Sequence, residues 1–234
     1  MRTLGKEQVI QPLTVKVSRR LLLKALGYRE KMELTPNVEE IIKEVLAEGE
    51  DFLHPRGIFS LFPLEKVNDS EIILPEGVNF QTPRIARTLF QVEILAVMLI
   101  TIGPELEREA DRLSEAGHLA KALILDTYGS ESAEAAVRDL NLRIDRLAQE
   151  EKRRTSFRFS PGYCDWDIQD QKEIFSLIPG EIIGVKLSSS LMMIPKKSVS
   201  AIVGIGPRGS QKNARHYPPP CPDCPQRFQC LNRR

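Results

Sequence analysis

The sequence has little of what most often announces chemistry. Histidine occurs three times, tryptophan once and cysteine four times in 234 residues. Three of the cysteines crowd into the last stretch, so the rest of the chain has no disulfide framework. It must hold together by its core, for which this length suffices. No apolar run reaches the roughly 20 residues of a membrane span; the longest, Leu89–Gly103, carries Gln91 and Glu93. No basic start leads into an apolar stretch, as a secretory signal requires. Charge of one sign is not in surplus: 33 Lys and Arg face 32 Asp and Glu. That balance points to neither nucleic acid nor a membrane surface. The expectation is a cytoplasmic protein with reduced thiols, in which Asn68-Asp69-Ser70 is a glycosylation sequon in form only. Hydrophobic and charged fractions of 41% and 28% are those of a globular chain rather than a disordered one.

What is there reads as helices alternating with runs of strands. Residues 1–17 are extended. Ser18–Tyr28 is a short helix with Ser18 as its cap and Gly27 at its end. The next helix opens on Thr35-Pro36 and sets Val38, Ile41, Ile42, Val45 and Leu46 at helical spacing. Two strands follow, parted by the Asn68-Asp69-Ser70 turn, then a short helix at 82–91. "VEILAVMLITIG" is a continuous apolar strand, expected to be central and buried on both faces. Residues 103–117 form a helix with Pro104 in its first turn. Residues 118–154 form a much longer one, mildly interrupted at Gly129. "TSFRFS" is a strand, "SPGYCDW" a turn and "DIQDQKEIFSLIPG" a short helix. "EIIGVKLSSS", "LMMIP" and "KSVSAIVGIGP" read as three more strands. Without a βαβαβ rhythm, this pattern predicts an α+β fold with a mostly antiparallel twisted sheet and long helices. The body is expected over 1–206, with a separate tail over 207–234.

The tail is rich in proline and basic residues and holds "CPDCPQRFQC". Cys221, Cys224 and Cys230 lie close enough in sequence to converge on one centre. An iron–sulfur cluster is the first reading, with Cys164, His216, a partner's residue or a small molecule as fourth ligand. Zinc held by the three cysteines and His216, or a tail of unliganded thiols, stays open. "GIGPRG" (204–209) fits the dinucleotide fingerprint as a string, but Pro207 and a polar run follow where a helix is needed. It is assigned to turn chemistry.

The stretch from Arg158 to Trp166, "RFSPGYCDW", gathers an arginine, a Pro161-Gly162 turn and two aromatics. Arginine can fork onto a carboxylate. A tight turn brings backbone close to whatever lies above it. Tyr163 and Trp166 can cover a flat ring. Carboxylate, planar ring and close backbone together describe an amino-acid nucleoside such as S-adenosylmethionine; an ordinary turn with an arginine salt bridge is the alternative. Asp126, Ser130 and Glu134 share one helix face. They are either a solvated stripe or neighbours of this site.

Beyond the stretch itself, Arg158, Gly162, Tyr163, Gln171, Lys172, Leu187, Ser190, Met192, Met193, Pro195 and Ser198-Val199-Ser200 follow one another in a recognisable order. This segment, from about 156 to 206, resembles the activation domain of cobalamin-dependent methionine synthase. The resemblance implies binding of S-adenosylmethionine and docking over a corrinoid carried by a partner protein. It also implies methyl transfer that traps re-reduced cobalt, with an electron from a low-potential donor such as flavodoxin or ferredoxin. By the same resemblance Arg158 holds the ligand carboxylate, while Gly162 and Tyr163 line its adenosyl part. The family's Glu at one motif position is Ser189 here, and its later aromatic has no match in "SAIVGIG". With no corrinoid module in sight, the chain is expected to act in trans as a reactivase. A non-catalytic binding module and a zinc-tailed interaction protein are the competing readings; nucleic acid and membrane are not expected partners.

Overall fold

The computed structural model describes residues 4–29 and 32–207. In chain order the elements are β1 (Gln8–Ile10), α1 (Arg19–Ala25), α2 (Pro36–Glu48), β2 (Arg56–Pro63), β3 (Lys66–Val67), β4 (Glu71–Ile73), β5 (Asn79–Gln81) and α3 (Pro83–Thr88). Then come β6 (Ile94–Thr101), α4 (Glu105–Glu115), α5 (Leu119–Glu150), β7 (Arg153–Phe159), α6 (Gln171–Leu177), β8 (Lys186–Leu187), β9 (Met193–Ile194) and β10 (Ser198–Pro207). The main sheet runs β1-β2-β6-β10-β7 and every pairing in it is antiparallel. The expected α+β class with a mostly antiparallel sheet and long helices is what forms.

Alternation along the strands splits the apolar residues between two cores. Ala96, Met98 and Ile100 of β6 join α1, α2, α4 and α5 on one face. Leu95, Val97 and Leu99 join α3, α6 and the small β3-β4-β5 sheet on the other. Every residue of β6 is buried, which explains its unbroken apolar run. Local signals also hold. The Ser18 hydroxyl accepts the Leu21 amide at 3.2 Å, and that of Thr35 accepts the Val38 amide at 3.4 Å. Each satisfies a donor that the first helical turn leaves without a partner.

Three expectations need correction. Helix α5 runs unbroken through Gly129. A Cβ there would stand 2.4 Å from Leu106 of α4, so the glycine is where two helices approach. "EIIGVKLSSS" is not one strand: Gly180–Ile183 is a 3₁₀ turn, closed by Gly184 in the left-handed region, and only Lys186–Leu187 pairs. Gly204–Pro207 is strand rather than turn. Gly204 pairs with Leu95, and a Cβ on it would meet Leu89 and Val92 at 2.8 Å. The glycine there serves close packing. Arg208 and Gly209 of the same string lie outside the described residues.

Candidate functional site

Strands β7 and β10 lie side by side, with Arg158 opposite Val203 and Phe159 opposite Ile202. Arg158 therefore turns toward α5, and Phe159 toward the second core. On α5 the i, i+4, i+8 stripe meets two different cations. Arg158 donates to Glu134 Oε2 at 2.9 Å. Lys197 reaches Asp126 Oδ1 at 2.7 Å and Ser130 Oγ at 2.8 Å. The backbone amide of Lys196 donates to Glu107 Oε2 of α4 at 2.9 Å. The stripe thus fastens the segment before β10 as well as β7, rather than facing solvent alone.

After Phe159 the chain closes on itself. Gly162 donates to the Trp166 carbonyl at 2.8 Å, and Trp166 back to the Tyr163 carbonyl at 3.0 Å. Gly162 sits at φ +89° and Cys164 at φ +57°. Gly162 is required by its backbone angle, since a Cβ would find only Ile168 at 3.5 Å. The Ser160 hydroxyl ties the turn to β10 through the Ser200 carbonyl at 2.7 Å.

An open groove of about 260 Å³ lies at this end of the sheet. Its floor comes from Glu134, Arg158 and the 160–163 turn, with Pro161 buried and Tyr163 45% exposed. Gln171 at the start of α6 and Ser200 line it and share a buried hydrogen bond of 2.6 Å. Leu191, Met192, Met193 and Lys196 close it from the side of the β8–β9 hairpin. Chemically, this is a cation paired with a carboxylate, next to an exposed aromatic ring, two methionines and close backbone. A cation and an anion at hydrogen-bonding distance can exchange each other for the two ends of a zwitterionic amino acid. Tyr163 and Ile168, both half exposed, offer an apolar surface to a flat ring.

Of the residues singled out in the sequence, Arg158, Pro161, Tyr163 and Glu134 come together at the groove, with Gly162 shaping the turn. Asp126 stands apart from it, held by Lys197. Trp166 does not face the groove. It is 2% exposed, packs edge-on against Phe80 with ring centroids 5.0 Å apart, and donates Nε1 to Asp170 at 2.7 Å. Its ring is core, unable to cover a ligand from there. Burial pushes the Asp170 carboxyl above its ordinary range against the pull of the Trp166 bond, and Asp167 and Glu173 push the same way. Cys164 is partly buried in the turn. Cys221, Cys224, Cys230 and His216 lie outside the described residues. Among the described residues no group of three or more His, Cys, Asp or Glu side chains could hold a metal ion. Lys196 and the Leu191–Met193 side of the groove were not singled out as site residues. Their only signal was membership of the motif-like segment before β10.

No helix among the described residues is long and apolar enough to cross a membrane. A search among proteins of curated function returns no match. A crystal structure of the MetH reactivation domain bound to AdoHcy superposes with a TM-score of 0.61 at 18% identity, covering 91% of this chain and 82% of that one. At that identity the likeness is one of fold. Residues 91–213, just over half of the chain, match the family described as the activation domain of vitamin B12-dependent methionine synthase. The matched region contains α5, β7, the 160–166 turn and β10, and the chain belongs to that family.

Proposed function

We propose that the groove beside Arg158 binds S-adenosylmethionine and that the protein reactivates a corrinoid methyltransferase, carried on a separate chain, by reductive methylation. The observation that carries this reading is the Arg158–Glu134 pair set against the Pro161-Gly162-Tyr163 turn in a member of this family. Arg158 would take the ligand carboxylate and Glu134 its ammonium, each giving up the other. Tyr163 and the backbone of the turn would hold the adenosyl part. Met192 and Tyr163, both exposed, line the groove, where a docked partner would exclude water from the sulfonium.

The reaction balances with one electron and one methyl group. A low-potential donor, flavodoxin- or ferredoxin-like, reduces the partner's Co(II) to Co(I). The methyl group then passes from the sulfonium to cobalt and leaves S-adenosylhomocysteine. The protein's share is to hold sulfonium and corrinoid in line, which raises the effective concentration of the two reactants. The same reading assigns an iron–sulfur centre to Cys221, Cys224 and Cys230. Iron and sulfide content of anaerobically purified protein, with and without those cysteines, checks it.

The test mixes the protein with a corrinoid protein in the cob(II)alamin state, S-adenosylmethionine and a low-potential reductant, and follows the visible spectrum. Methylcobalamin should form only with all components present. Its absence with several corrinoid proteins, where S-adenosylmethionine still binds, would reduce the protein to a binding module.

A further inference from the structure

The turn that carries Gly162 and Tyr163 has to be anchored somewhere other than at Arg158, because the guanidinium belongs to the groove. Asp165 supplies an anchor. Its Oδ1 accepts the Thr82 hydroxyl at 2.8 Å and its Oδ2 accepts the Arg84 amide at 3.0 Å, with Arg84 Nε 3.9 Å away. Thr82 is fully buried and caps α3, and Arg84 sits in that helix's first turn. The carboxylate therefore satisfies a donor that α3 leaves unpaired within itself. It also spans more than 80 residues of sequence. Asp165 lies two residues from Tyr163 and is enclosed by the Gly162–Trp166 backbone bond. Its carboxylate thus ties the turn to α3.

Resting on the S-adenosylmethionine reading of the groove, we propose that Asp165 is a positioning residue for the ligand. By gripping Thr82 and the Arg84 amide, it sets where Gly162 and Tyr163 stand and so governs affinity for the adenosyl half. It touches no ligand itself. Charge-assisted bonds to a hydroxyl and a backbone amide are directional, and small misplacements of a binding group cost large factors. Arg158 and Asp165 then divide the ligand between them, one answering to its carboxylate and the other to its nucleoside.

That division is testable by titration calorimetry on the full chain with S-adenosylhomocysteine and with adenosine. Asp165→Ala removes both acceptors, the one for Thr82 and the one for the Arg84 N–H. Thr82→Val removes only the hydroxyl. Asp165→Ala should weaken both ligands about tenfold, adenosine included, and Thr82→Val should weaken both less. Arg158→Ala should weaken S-adenosylhomocysteine and leave adenosine unchanged. Emission of Trp166, the single tryptophan, reports whether the core beneath the turn is intact. Should Asp165→Ala not fold, Thr82→Val alone decides. Wild-type affinity in folded variants of both residues would overturn the proposal and leave Asp165 as a cap for α3. Failure of the wild type to bind either ligand would instead overturn the reading of the groove, and the proposal with it.

Discussion

The two ends of the 158–166 stretch are held in different ways. Both ends have an anchored backbone, Arg158 in β7, but the grip on the Arg158 side chain is one ion pair to Glu134, whose side chain is 42% exposed. At Trp166 it is a fully buried Phe80 face, an indole bond to Asp170 and, one residue earlier, the Asp165–Thr82 bond. An ion pair with one partner open to water contributes about 1 kcal/mol, while a buried aromatic contributes about 3–5 kcal/mol against truncation. The side chain of Trp166 is therefore fixed, while the partner of the Arg158 side chain is exchangeable. A ligand can replace Glu134 at the guanidinium at little cost while the turn beside it stays put.

Breaking the fixed end should have the largest effect. Phe80→Ala removes the ring against which Trp166 rests and should cost about 3–5 kcal/mol. Urea unfolding followed by Trp166 emission measures it. A loss below about 1 kcal/mol would show that the indole does not depend on that contact. At the exchangeable end, Glu134→Gln should leave stability within about 1 kcal/mol. It should weaken S-adenosylmethionine about tenfold, the loss of one charge-assisted bond to the ammonium. Equal losses of stability and affinity would mean that the pair is structural after all.

The smallest effect concerns Asp170. Its carboxyl titrates above the ordinary aspartate value of 3.8 because burial disfavours the charged form. Between the unfolded and folded values the native state binds more protons than the unfolded state, so stability falls as pH rises through that window. Asp170→Asn still accepts from Trp166 but does not titrate. Relative to wild type, its stability should rise as the pH climbs from below 3.8 toward neutrality. A difference independent of pH, measured by urea unfolding across that range, would contradict this assignment.

Much of this was legible in the sequence. The apolar run of β6 announced a central strand, and Ser18, Thr35 and Pro104 marked helix starts that the structure retains. Arg158 and the Pro161-Gly162 turn carried the groove because their chemistry is local. Trp166 was not legible, since an aromatic beside a turn reads the same whether it covers a ligand or a core. What decides is Phe80, which tertiary packing alone brings to it. Asp165 escaped notice for the same reason: its partners Thr82 and Arg84 belong to another strand–helix corner. Apolar "EIIG" looked like strand because a short run carries no period, and Gly184 in the left-handed region turned it.

In the proposed function Arg158, held by an exchangeable carboxylate, anchors an amino-acid nucleoside. Equilibrium binding of S-adenosylmethionine to wild type and Arg158→Ala, with melting temperatures recorded on the same samples, tests it most directly. The wild type should bind saturably, one to one. Arg158→Ala should bind at least tenfold more weakly, consistent with removal of a charged hydrogen bond, with little change in melting temperature. Equal affinity in the two proteins would contradict that anchoring role.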